Sequence, residues 1–409
     1  MPRLHRRRGN TIGKGLKIMS QDPVTVTTNT SWFSRLGGAI KGVLVGFALI
    51  LGSIILLSWN EGRSIQSIRT NNEGAKVVLP VAADRVDPAN EGKLIHLSAP
   101  AVAEGQRVDD QLGVTADGLL LARSVEYFQW VEKSQSETRT KLGGGQETVT
   151  TYSYATEWTN TPQDSSSFNQ QQGHQNPAAT LKGAEFAAPS TSVGAFKASQ
   201  DVVSRLSADA PYVPSAEQVQ AMGTALGKTA TVQDKLVYVG ANPATPQVGD
   251  MRVTYRVVPQ NTVLSIVAAQ TQGNLTAFPA KTGSSILMVR TGTASAAEMF
   301  QSAKQANQTM TWILRGVGVA LMIAAIGMVL APLGVLGDVV PFIGSIVRMG
   351  TGLIAGLLGV AISLVVIAVS WIAFRPLVGI GLLVVAALAV AGILWLRKRK
   401  AAPVPVPAS

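Results

Sequence analysis

"GGAIKGVLVGFALILGSIILLSWNEGR", residues 37–63, decides how this chain is read. Up to Trp59 it carries one charge, Lys41, near its start. An apolar run of about 20 residues crosses roughly 30 Å of hydrocarbon as a helix. Basic residues precede the run, as in a signal peptide. Its apolar core is too long for one, however, and no small-x-small cleavage site follows. Residues 37–59 therefore read as an uncleaved anchor. Trp59 falls at the membrane interface, where indole rings prefer to sit. Gly62 is a candidate helix end or bend. Asn60, Glu61, Gly62 and Arg63, with Trp59, are candidates for coupling the membrane part to whatever follows.

Beyond this segment, a second apolar block runs from 311 to 396, interrupted by Pro332, Asp338, Pro341, Arg348, Arg375 and Pro376. It divides into spans at 311–331, 350–373 and 377–396, with an interfacial cytoplasmic loop at 332–349. The expectation is a multi-pass α-helical membrane protein with four transmembrane helices. A large extracytoplasmic α+β, strand-rich domain at 60–295 is inserted between the first and second. The net charge of +11 resides at the two ends: eight basic side chains against Asp22 within residues 1–41, and "RKRK" at 397–400. The positive-inside rule then makes 1–36 and 397–409 basic cytoplasmic tails. A nucleic-acid binder would carry its basic residues on a folded face among aromatics, so no nucleic-acid partner is expected. There is no cysteine, which excludes disulfides, thiolate metal sites and cysteine nucleophiles.

Ser295 and Glu298 have capping-box spacing. A helix over 296–331 would be about 54 Å long, a stalk continuing into the second span. Gly38, Gly42 and Gly46, and Gly352 and Gly356, recur four apart, a spacing that lets helix backbones approach.

In the outer domain "MRVTYRVV" (251–258) alternates, with Met251, Val253, Tyr255 and Val257 on one face, as a half-buried strand does. "LLLARSVEYFQWVE" (119–132) and "ETVTTYSYATEW" (147–158) are further strands. A helix starts at Ser215, which has Gln218 at capping-box spacing, and ends near Gly227. "GTALGKT" (223–229) lacks one residue of a phosphate-binding loop and reads as that helix end. Ser-x-x-Lys, His-Glu-x-x-His and Gly-x-Ser-x-Gly are absent, and the three histidines form no cluster in sequence. No catalytic residue, metal site or cofactor is expected. Asp338, the sole acid of 311–396, and Arg375 and Pro376 in the turn "FRP" are membrane-interface candidates.

Set in order, "WNEGR" (59–63), "NEG" (72–74), "VEYFQWVE" (125–132), "YSYATEW" (152–158), "GHQNP" (173–177), "VGDMRVTY" (248–255) and "WIAFRPL" (371–377) make the chain resemble the transmembrane protein 43 family, also called LUMA. The resemblance covers nearly everything after residue 30. It implies a large outer or luminal domain, no established enzymatic activity, self-association and binding to other envelope proteins. It also singles out Glu73, Gly74, Glu126, Gln129, Trp130, Tyr154, Glu157, Trp158, Gly173, His174, Asn176, Pro177, Gly249, Asp250 and Arg252 as a possible partner surface. Bacterial relatives exist, and the cysteine-free, Ala/Gly-rich composition looks like theirs. The expected function is a membrane-anchored scaffold that self-associates and binds partners or lipid through its outer domain. The expected place is a bacterial inner membrane, with both termini cytoplasmic and the domain periplasmic. The alternatives are an ion channel or transporter subunit, and an envelope-lipid-binding module or enzyme.

Overall fold

The computed structural model describes residues 23–374. Three long helices form one bundle: Trp32–Val77, Ala296–Gly337 and Pro341–Phe374. The first does not stop at Gly62 or at Gly74. Its second half is polar but meets no proline, and it runs unbroken into the strand-rich domain. The stalk helix starts at a complete Ser295–Glu298 capping box and passes through Pro332 to Gly337. Asp338 ends it, and Pro341 opens the third described helix after a three-residue turn, a position where its missing N–H costs nothing. Where Gly46 meets the stalk helix, a Cβ would lie 2.8 Å from the Ala325 carbonyl, so the two backbones touch there. Gly38, Gly42, Gly352 and Gly356 have open space around them.

The domain has two main sheets. In one, Leu94–Ala103, Thr262–Thr271, Asn274–Thr276, Phe196–Ala198 and Thr191–Val193 pair in turn, and the last returns to the first. This closes a five-stranded barrel. Its interior is filled by Ile95, Leu97, Phe196, Leu264, Ile266 and Leu275. In the other sheet Met251–Val258 lies beside the first part of the long strand Leu120–Thr140. The alternation read in the sequence holds here, with Met251, Val253, Tyr255 and Val257 buried. The helix Ala216–Leu226 packs on this second core through Val219 and Met222. A buried polar node holds it from within: Arg123 donates to Asp109, which also accepts from Tyr255 Oη at 2.6 Å.

The second half of Leu120–Thr140 leaves the sheet and pairs with Gln146–Thr159, making a ribbon that projects from the domain. Val24–Thr30, which precedes the first helix, adds to its other edge, with Val24 opposite Tyr152 and Thr30 opposite Gln146.

Two parts of the expected architecture are therefore corrected. Among the described residues three helices, not four, are long and apolar enough to cross a membrane; the span expected at 377–396 lies outside them, as do Arg375, Pro376 and the tail 397–409. Nor is the strand-rich part simply inserted between the first and second spans. It takes a strand from the far side of the first helix, within the segment expected to be a cytoplasmic tail. The physical reason is that "VTVTTNT" is almost wholly β-branched, which suits a pleated edge, but only Val24 and Val26 give it an apolar face, too short to announce a strand.

Candidate functional site

The residues singled out after the first apolar run meet the other two helices at the root of the domain. Glu61 is 1% exposed. Arg315, from the stalk helix, donates Nε to Glu61 Oε1 at 2.6 Å and Nη2 to Oε2 at 2.8 Å. Trp371, on the described helix Pro341–Phe374, donates Nε1 to Oε2 at 2.8 Å. One carboxylate thus ties all three helices. Paired, parallel N–H···O bonds to a carboxylate are strong and directional, and a buried ion needs such partners to be tolerated.

Around this node Asn60 donates Nδ2 to the Thr311 carbonyl at 3.1 Å. Arg63 spreads over Asn307 Oδ1, Asn60 Oδ1 and Thr311 Oγ1 at 3.1–3.2 Å, and its buried Nε has no acceptor. Asn307 Nδ2 reaches the Ser64 carbonyl at 3.2 Å. Asn60, Ser64, Asn307 and Thr311 are all buried. Gly62 is needed for contact: a Cβ there would lie 2.8 Å from Phe374 Cζ. Trp59 stays 57% exposed on the outer surface. About three turns of helix further on, Glu73 accepts the Lys281 backbone N–H at 3.0 Å and Gly74 packs on Ile286 and Phe300.

Sequence reasoning missed the partners Arg315, Asn307 and Thr311, and gave Trp371 only as the start of the motif "WIAFRPL". The signal existed. Arg315 is the only charge within "WILRGVGVALMIAAIGMVL", and an ionisable group at membrane depth calls for a named counter-ion.

A second junction lies at the opposite end of the bundle. Asp338 is fully buried and accepts from Arg35 and Arg348, both at 2.5 Å; its Oδ1 has no hydrogen-bond partner. Arg35 also donates to the Gly144 carbonyl at the tip of the ribbon. Gly143 N–H donates to the Val339 carbonyl at 3.1 Å, and Trp32 Nε1 to the Val335 carbonyl at 2.8 Å. Gly144 has φ +78° and a Cβ there would strike Trp32. The ribbon is thus tied to the end of the bundle farthest from the domain. Its free part, about 12 residue pairs at roughly 3.3 Å each, is some 40 Å long, enough to run beside the whole apolar length.

The remaining family-motif residues gather at the root of the ribbon. His174 is fully buried, stacks on Tyr154 at 4.0 Å and meets Trp130 edge-on at 4.7 Å. Tyr154 Oη donates to Glu132 Oε2 at 2.6 Å; burial, and then this bond, push the Tyr154 phenol up to about 12. Asn176 accepts from Trp130 N–H at 2.8 Å and donates to its carbonyl at 3.0 Å, standing in for a neighbouring strand. Gln129 holds the segment 161–163. Gly173 and Gly249 have φ of +84° and +95°, and Pro177 packs on Gly249. Asp250 accepts from Tyr238 Oη at 2.5 Å and from Gln247 N–H at 2.8 Å. Arg252 lies 4.0 Å over the Trp158 ring and opposite Glu126 in register. Glu157 pairs with Lys133 at the surface. These residues converge, but as packing and hydrogen bonds that fix how the ribbon leaves the sheet. They form no cleft with converging acid, base and nucleophile. Among the described residues no group of three His, Asp or Glu is placed to hold a metal.

The model of the transmembrane protein 43 family matches residues 127–376. Transmembrane protein 43 of Mus musculus is 28% identical, covering 87% of this chain and 90% of its own length. That of Homo sapiens is 28% identical, covering 92% and 94%. The transmembrane protein 43 homolog of Drosophila melanogaster is 24% identical, covering 84% and 92%. No solved structure matches. With these relatives and three apolar helices, the chain is a membrane protein.

Proposed function

The chain belongs to the transmembrane protein 43 family, and from that premise we propose that it is a membrane-anchored scaffold that self-associates and presents its strand-rich domain to partners or lipid. One observation carries this reading: a polar ribbon is held beside an apolar bundle. The cross-strand register puts Lys133, Gln135, Glu137, Arg139 and Glu147 on one face, and Ser134, Ser136, Thr138, Thr148 and Thr150 on the other. Ser134 to Arg139 are exposed. Non-helical backbone at membrane depth is tolerated only where protein covers it or where it lines water. Among the described residues, no strand pairs with the outer edge of Val24–Thr30 or with the outer edge of 129–140. A second copy supplies that cover, and the two open edges of each ribbon are the surfaces that meet it. Placement of the domain on the periplasmic side of a bacterial inner membrane belongs to the same proposal. The basic residues ahead of the first span and the cysteine-free composition support it.

Mass measurement of the protein in lipid nanodiscs tests this. More than one copy per particle is expected; a single copy in both detergent and lipid overturns it. One observation favours ion conduction as a second reading: the charges of the ribbon share a face, which in an assembly would border water. Bilayer recordings that stay flat, for the wild type and for Glu137→Gln alike, remove that reading.

A further inference from the structure

Beside the Glu61 node, but outside it, lies a cleft of about 480 Å³ bounded by Trp59, Gly62, Arg63, Gln66, Arg69 and Phe374. Residues 59, 62, 63, 66 and 69 fall on one face of the first helix, at the spacing that makes helical neighbours. The cleft begins where the apolar run ends, at the level of lipid head groups. Among the described residues, two guanidinium groups border it and no carboxylate does. Glu61 is occupied by Arg315 and Trp371, and Glu73 by the Lys281 backbone, so neither neutralises them. Arg63 is held through its Nη atoms by Asn307, Asn60 and Thr311, and among the described residues no carboxylate neutralises its charge. Arg69, exposed, makes one hydrogen bond among the described residues, to the Phe374 carbonyl at 2.8 Å. Trp59 and Phe374 leave 57% and 39% of their surfaces open at the mouth, apolar walls beside a basic floor.

We propose that this cleft binds the phosphate of an anionic phospholipid. Guanidinium forks match phosphate oxygens in geometry and charge, and the Trp59 and Phe374 rings lie against the glycerol and the first acyl carbons. Surplus cationic charge favours phosphatidylglycerol over zwitterionic lipid. The site needs only one copy of the chain, so it stands apart from self-association.

The probes are nanodiscs of phosphatidylcholine alone, the same with added phosphatidylglycerol, and phosphatidylcholine nanodiscs titrated with inorganic phosphate. The readouts are lipid retained by the purified protein and thermal unfolding. Phosphatidylglycerol is expected to be retained and to raise Tm, and inorganic phosphate to do neither. Arg69→Glu should lose the retention and the Tm gain, Arg69→Lys should keep part of both, and Lys76→Glu, farther along the same helix, should keep all of both. An equal rise with inorganic phosphate would make the ligand a small anion and overturn the lipid assignment. Unchanged retention in Arg69→Glu, which removes an exposed side chain without opening the core, would overturn the site.

Discussion

Glu61 on the first helix receives Arg315 of the stalk helix on both of its oxygens, at 2.6 and 2.8 Å, in a position only 1% exposed. The pair lies where the bundle gives way to the strand-rich domain, and Trp371 adds the third described helix to it. The result is a single charged node that sets the spacing of three helices.

Removing one partner should cost more than removing both. Glu61→Ala leaves the Arg315 guanidinium, 15% exposed, without its counter-ion, a loss of about 3 kcal/mol, the low end for a buried pair. Arg315→Met alone should cost a similar amount. The double variant should fall well short of the sum, because neither charge is then stranded. Denaturant unfolding of the four proteins in one detergent measures this. Strict additivity would show that the two side chains do not act as a pair.

Asn176 serves both backbone groups of Trp130. Asn176→Ala leaves them without that partner at the root of the ribbon, a cost of about 1–3 kcal/mol. Hydrogen exchange should quicken at 129–132 and stay unchanged in the barrel strand 262–271. Equal exchange throughout would mean that the ribbon root is held by other contacts.

Alkaline lability follows from three buried tyrosines. Burial raises the phenols of Tyr154, Tyr238 and Tyr255, and their bonds to Glu132, Asp250 and Asp109 raise them further. The folded state therefore favours the neutral phenol. This contribution is complete below the ordinary tyrosine pKa of about 10 and is lost as pH rises through the folded value, about 12 for Tyr154. Stability should thus fall from about pH 10 upward. A phenolate-absorbance titration should show these three ionising late or only with unfolding. Six tyrosines titrating together near the ordinary value would contradict it.

Much of this was readable in the sequence where one residue type has one physical use. The apolar run to Trp59 marked a membrane helix, the Ser295–Glu298 spacing marked the start of the stalk, and the alternation of 251–258 marked a buried strand. The sequence also pointed to Asn60, Glu61 and Arg63. What it hid depends on partners far along the chain. The first helix continues past Gly62 because Asn307, Thr311 and Arg315 satisfy its polar side chains, and none of them is near it in sequence. Val24–Thr30 fell within an expected basic cytoplasmic tail because a Thr-rich segment becomes a strand only when another edge receives it. Asp338, expected in an interfacial loop, is fully buried between Arg35 and Arg348; Arg35 is on the first helix and Arg348 on the helix that opens at Pro341, so neither lies on the stalk helix that Asp338 ends.

The central claim is that the ribbon lies along the bundle, fastened at its far end, rather than projecting away from it. The chain has no cysteine, so Leu142→Cys at the ribbon tip and Val340→Cys in the turn after the stalk helix, exposed 87% and 47%, give two unique spin-label positions. Pulsed electron–electron distance measurement in lipid nanodiscs should give one short, narrow distribution, broadened and lengthened by Asp338→Asn or Arg35→Ala. A long distance in the unaltered protein, insensitive to both substitutions, would contradict the account.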